Sequence, residues 1–231
     1  MKRADWDRLA DEFASETCDI TREESADEME RFVALARLPK KGAVLADLGC
    51  GIGTFIARFG ARFDTIHGVE FAPRIIAHAK RRCGAEVNWL TMDVPRAAKA
   101  IGRVAHLTVC LNVITQSGAA ARAKLWESVG AVTQSGGCAL VVVPSMESER
   151  MVVEMGADAN WRRGGLVERD GVWQKHYEEA ELAEVFKANG FARPRIGRAH
   201  YPWSVEGMRQ TKARRGKRPW DWIALARKTR G

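Results

Sequence analysis

Apolar positions along this chain alternate between two periods. Val44 to Leu48 is a short apolar run broken only by Asp47, as a buried strand reads. Three glycines at alternate positions, Gly49, Gly51 and Gly53, turn the chain into an apolar-periodic stretch from Thr54. The rhythm then repeats. Thr65–Val69 predicts a second strand, followed by a helix with Pro73 near its start, where a missing N–H costs little. Val87–Leu90 predicts a third strand before a short helix over Arg96–Ile101, and His106–Leu111 a fourth before a helix over Ala119–Val132. A fifth strand is expected over Gly137–Val143. Such alternation of strand and helix specifies a doubly wound, mostly parallel sheet with helices on both faces.

Both ends depart from this rhythm. Asp5 to Leu38 reads as helical: Trp6, Leu9, Ala10 and Phe13 share one face, and Thr21 with Glu24 forms a capping box for a second helix. That helix buries Met29, Phe32, Val33 and Ala36 and stops before Pro39. Ser145 to His176 is mixed, with two glycine-containing turns and two tryptophans, and reads as an inserted lid. Order returns with a helix over Glu178–Asn189, ended by Gly190, and two strands near Ala192–Ile196 and Trp222–Arg227. The 231 residues suit a single domain. Within it, residues 1–38 form a helical cap, 44–143 the core, 145–176 the lid, and 177–231 a final helix and strand pair.

Composition narrows the class. The longest apolar run, Cys138–Pro144, is far too short to cross a bilayer, and Met1–Asp7 lacks the apolar core of a signal peptide. Five widely spaced cysteines with no C-x-x-C pair suit reduced thiols in a cytoplasm. No two histidines have metal-ligand spacing, so no metal is expected. The net charge of +8 is uneven. From Arg193 onward, basic residues are opposed only by Glu206 and Asp221, a balance that attracts anionic substrates or polyanions.

The chemistry centres on the glycine turn. A dinucleotide turn wants G-x-G-x-x-G or A, whereas here Thr54 stands at the last place and the third glycine comes one residue early. Asp47 lies two residues before the first glycine, where it can meet a cationic amino group that no pyrophosphate offers. Asp47-Leu48-Gly49-Cys50-Gly51-Ile52-Gly53 closely resembles motif I of the class I S-adenosylmethionine-dependent methyltransferases, and the resemblance extends over about Val44–Phe191. It implies a seven-stranded sheet with the last strand antiparallel, and S-adenosylmethionine as cofactor with S-adenosylhomocysteine as product. It also implies that Asp47, Gly49, Cys50, Gly51 and Gly53 cradle the amino-acid end of that cofactor. Glu70, ending the second strand, takes the ribose hydroxyls, with Phe71 beside the adenine. Asp93 and Val94 supply an acceptor and a backbone N–H for the adenine edge, although Asp is also a common turn residue. Asn112, after the fourth strand, contacts the methionine part.

Substrate signals are sparser. Asn112-Val113-Ile114 lacks the prolines of the N/D-P-P-Y/F/W signature that holds planar base amines, and Cys110 lacks the proline of a pyrimidine-methylating Pro-Cys pair. The expected acceptor is therefore a small molecule, anionic if the basic tail reaches the site. His176, His200 and Tyr177 are candidate catalytic residues, the histidines as proton acceptors, and Trp6, Trp161, Trp173, His176 and Tyr177 candidate pocket lining. Three other readings stay open: a methyltransferase acting on nucleic acid through the basic region, a nicotinamide-dependent oxidoreductase on the same sheet, and a cofactor-binding regulatory protein with no turnover.

Overall fold

The computed structural model describes residues 23–83, 86–169 and 171–230. Trp6, Thr21 and the first predicted helix lie outside them. The elements run α1 (Glu23–Leu35), β1 (Val44–Leu48), α2 (Thr54–Phe59), β2 (Thr65–Val69), α3 (Pro73–Cys83), β3 (Asn88–Leu90), α4 (Val94–Ile101) and β4 (Ala105–Leu111). After them come α5 (Ala119–Val132), β5 (Thr133–Pro144), α6 (Met146–Glu154), β6 (Asn160–Arg162), β7 (Leu166–Arg169) and β8 (Val172–Lys175). The last are α7 (Glu179–Ala188), β9 (Arg195–His200) and β10 (Trp220–Arg227).

Seven strands form one sheet in the order β3-β2-β1-β4-β5-β10-β9. All neighbours in it pair in parallel except β10, which is antiparallel to both β5 and β9. The order reverses at β1, so the turn after β1 opens at the switch point where such sheets hold ligands. The strands are near-continuous apolar runs because both faces are covered. On one face Val129, Leu182 and Phe186 of α5 and α7 pack on Val141, Val143 and Trp222. On the other, α1 and α2 bring Phe32, Phe55 and Phe59 onto Leu45, Leu107 and Leu140.

Three segments differ from their expected form. Strand β5 begins at Thr133, before the predicted Gly137, because Thr133 pairs with Ala105 ahead of an irregularity and regular pairing resumes at Leu107–Cys138. Helix α1 flanks the sheet, and its described residues do not roof the strands' carboxyl ends. Its apolar stripe has the β5, β10 and β9 face to cover: Phe32 lies against Gly197, and the Ala36 carbonyl accepts from Arg227 at 3.1 Å near the strands' opposite ends. The segment 145–176 folds as α6 followed by a three-stranded antiparallel sheet, β6-β7-β8. That small sheet is stitched to the loop after β4, where Lys175 N–H donates to the Thr115 carbonyl at 2.8 Å and Gln174 bridges Gln116.

Phe186 is fully buried and meets Trp126 and Phe191 edge-on at 5.2 and 5.6 Å. Phe186→Ala is expected to cost about 3–5 kcal/mol in chemical denaturation by opening a cavity that three elements line. A loss below about 1 kcal/mol would contradict this packing account.

Candidate active site

The turn after β1 is built from backbone. Gly49, Gly51 and Gly53 have φ of 81°, 53° and 77°, in the left-handed region that a Cβ disfavours. At Gly49 the steric limit is also tertiary, since a Cβ would come within 2.4 Å of the Val113 side chain beyond β4. The Gly49 and Cys50 N–H groups both donate to the Val69 carbonyl at 2.8 Å, which ties the turn to the end of β2.

Glu70 follows directly on β2 and is buried. One oxygen accepts the Gly51 N–H at 3.3 Å, and the other accepts the Ala72 N–H at 2.9 Å, just ahead of α3. The carboxylate thus clamps the glycine turn to the start of the next helix. Asp47, on the neighbouring strand β1, is also buried, and its Oδ2 has no hydrogen-bond partner among the described residues. Burial, reinforced by the nearby Glu70 charge, pushes its carboxyl up to about 8. The neighbouring Cys50 thiol is pushed well above its ordinary value, mainly by burial, which makes it an inert packing group beside the turn.

At the end of β4, Asn112 adopts a left-handed φ of 54°, which Asn tolerates better than most residues. Its Nδ2 donates to Asp221 at 2.8 Å, while its buried Oδ1 has no partner among the described residues. Asp221 escaped the sequence reading, being 109 residues away in the chain. The available signal was an acid between two tryptophans, Trp220 and Trp222, inside a strand. Asp93 is exposed, and its Oδ1 accepts the Arg96 N–H at 2.9 Å as the N-cap of α4. Val94 beside it is buried and Phe71 half-buried.

Of the three candidate catalytic residues, Tyr177 and His176 are poorly suited to take a proton. Tyr177 is fully buried, donates to the Ile114 carbonyl at 3.1 Å and accepts from Trp126, and burial first of all pushes it up to about 12. Those contacts give it a packing role. Burial, then the charges of Arg169 and Lys175, pushes His176 down to about 3. Glu149 lies 3.7 Å from its Nδ1, but that carboxylate accepts both its bonds from Arg169. So weak a base is a poor proton acceptor at neutral pH. His200 ends β9 opposite Trp220, with a buried Nδ1 that has no partner among the described residues. Trp161 is exposed, and Trp173 lies under the Arg162 guanidinium at 3.9 Å.

Comparison with known proteins bears on this site. Residues 45–137 match the family model for a methyltransferase domain. No curated protein matches the chain by sequence. Among solved structures it is similar to the 1,6-didemethyltoxoflavin-N1-methyltransferase of Burkholderia thailandensis, crystallised with 1,6-didemethyltoxoflavin and S-adenosylhomocysteine. That match has a TM-score of 0.67 at 19% identity and covers 99% of this chain and 87% of the other. It is also similar to the magnesium protoporphyrin IX methyltransferase of Synechocystis PCC 6803 with bound S-adenosylmethionine. There the TM-score is 0.62 at 13% identity, over 99% and 98% of the two chains. Residues 45–137 thus match a methyltransferase domain, and the chain shares the fold of these solved methyltransferases. Nothing in these matches favours the nicotinamide or nucleic-acid readings.

The raised Asp47 carboxyl has a sign that stability measurements test. Its folded value lies above its unfolded one, so the native state holds a proton that the unfolded state releases, and stability falls as pH rises from about 4 to about 8. Asp47→Asn removes this dependence. The advantage of the variant over wild type is expected to grow by about 1.4 kcal/mol per pH unit between pH 5 and 7 in urea denaturation. An advantage independent of pH would contradict the buried, protonated Asp47.

Proposed function

We propose that the protein transfers the methyl group of S-adenosylmethionine to a small-molecule acceptor, by in-line displacement, in the site at the carboxyl ends of β1, β2 and β4. The observation that carries this reading is the buried Asp47 carboxyl, whose Oδ2 has no partner among the described residues, under a turn of left-handed glycines. An orphaned acid there is costly unless a cationic donor completes it, and the ammonium of the cofactor's amino-acid end is such a donor.

The residues present fit that group. Asp47 and the Asn112 Oδ1 accept from its amino-acid end, and the turn from Gly49 to Gly53 lets it approach the backbone. The Glu70 carboxylate, tied to the glycine turn by the Gly51 and Ala72 N–H groups, is the acceptor offered to the ribose hydroxyls. Phe71 and Val94 offer apolar surface to the adenine ring, and the Asp93 oxygen not used in capping accepts from its amine. The cofactor supplies a methyl group already activated on a sulfonium, so the chain's task is to align the acceptor and exclude water.

The segment 145–176 serves as the lid, since it is joined to the loops where β4 and β5 end. The solved structures named above are named as methyltransferases of 1,6-didemethyltoxoflavin and of magnesium protoporphyrin IX, which supports a small-molecule acceptor here. With His176 and Tyr177 poorly suited as bases, the site favours an acceptor whose nucleophile is already neutral and unprotonated, or one served by His200. Exposed Arg209, Lys212, Arg215, Lys217 and Arg218 on the segment joining β9 to β10 favour an anionic acceptor. A cytoplasmic setting accords with buried, unpaired Cys50, Cys110 and Cys138. Among the described residues no helix is long and apolar enough to cross a membrane.

Calorimetric titration with S-adenosylhomocysteine is expected to show saturable binding, and titration with NAD none. Glu70→Ala should weaken the former by about 1–3 kcal/mol, the scale of hydrogen bonds to a charged group. Binding of NAD in place of S-adenosylhomocysteine would overturn the proposal. Wild-type affinity in Glu70→Ala would overturn the ribose assignment.

A further inference from the structure

The Asn112 side chain is held from one side only. Its Nδ2 donates to Asp221, its buried Oδ1 has no partner among the described residues, and its main-chain N–H is fixed on the Val142 carbonyl at 2.9 Å. An amide can turn over by half a rotation at little intrinsic cost, exchanging oxygen for NH2. Here it cannot do so freely. An ionised carboxylate only accepts, so turning the amide over would set its oxygen against another acceptor.

Asp221 is itself firmly placed. It stands opposite Pro144, where β5 ends, so the antiparallel strand β10 delivers an acid to the carboxyl edge of the parallel strands. The residues on either side are pinned. Trp220 N–H donates to the Ser148 hydroxyl at 2.8 Å, and the Trp222 indole donates to the Tyr177 carbonyl at 3.1 Å and to Glu147 at 3.2 Å. The side chain is buried. Burial pushes Asp221 up to about 6 while the Asn112 bond pulls it down, so it is ionised at neutral pH.

We propose that Asp221 is a positioning residue: it fixes the Asn112 amide so that Oδ1 is presented as an acceptor for the ammonium at the amino-acid end of the cofactor. This rests on the cofactor reading above and adds a residue that never touches the cofactor. The last strand of the sheet thereby sets the geometry of a site that the first, second and fourth strands otherwise build.

The test compares two probes by calorimetry. S-adenosylhomocysteine carries the amino-acid end; 5′-methylthioadenosine keeps the nucleoside and sulfur but lacks it. Asp221→Leu is expected to weaken S-adenosylhomocysteine by about tenfold, the scale of one hydrogen bond to a charged group, and to leave 5′-methylthioadenosine unchanged. Asp221→Asn, which keeps one acceptor, should lose less. In an Asn112→Ala background, Asp221→Leu should cause no further loss. Equal weakening of both probes would make Asp221 merely structural and overturn the proposal, as would additive losses in the double variant. If Asp221→Leu does not fold, Asp221→Asn decides: a loss confined to S-adenosylhomocysteine supports the proposal, and an equal loss or none overturns it. The two readings fail differently. If Asn112→Ala binds both probes like wild type, the cofactor assignment of Asn112 is wrong. If Asn112→Ala weakens S-adenosylhomocysteine while neither Asp221 variant does, only the positioning role is wrong.

Discussion

Two carboxyl groups buried under one turn of backbone organise this protein. Glu70 is satisfied: its oxygens take the Gly51 and Ala72 N–H groups and so fasten the glycine turn to the helix that follows β2. Asp47 is not, and the two acids are close enough for each charge to oppose the other. Such a pair holds one proton between them more readily than none. A fold that keeps an unsatisfied acid at the switch point of its sheet carries that cost in the empty state and recovers it when a cation arrives. The left-handed glycines, the Val113 contact that bars a Cβ at Gly49 and the β2 carbonyl that anchors the turn all serve to hold this arrangement open.

Around this centre the rest of the chain secures the carboxyl edge. Arg169 on β7 pairs with Glu149 on α6 and with Glu206 on the segment leading to β10, and Tyr201 donates to Glu206 at 2.7 Å. The small sheet, α6 and the basic excursion are therefore joined by one largely buried charge cluster. Removing a single member would leave its partners uncompensated, which is more costly than the pairs are stabilising. The lid and the final strand are thus coupled mechanically to each other, and through Asp221 to Asn112.

Much of this was legible in the sequence because it rests on local rules. Strand, glycine turn and helix follow from periodicity and from the conformations only glycine adopts easily, and Asp47 and Glu70 are fixed by their distance from that turn. Asp93 shows where local rules compete, for it reads both as a ligand acceptor and as a turn residue, and the structure makes it the N-cap of α4. What depends on tertiary register was not legible. The early start of β5 follows from pairing with Ala105, and the Asn112–Asp221 bond follows from β10 running antiparallel beside β5. Tyr177 reads as pocket lining by its place in the chain, yet the space between Trp126 and Ile114 claims it for the core. The short strands β6, β7 and β8 carry little apolar alternation, since most of their residues stay partly exposed, so no strand pattern announced them.

The central claim is that Asp47 waits protonated for a cationic group. Calorimetric titration of S-adenosylhomocysteine at pH 7, repeated in buffers of different ionisation enthalpy, counts the protons exchanged on binding. Since pH 7 lies below the Asp47 value of about 8, the free protein holds the proton, and an ammonium placed beside the carboxyl lowers that value and expels it. The account predicts release of about one proton per ligand bound, abolished in Asp47→Asn. Binding with no proton released, or with the same release in Asp47→Asn, would contradict it.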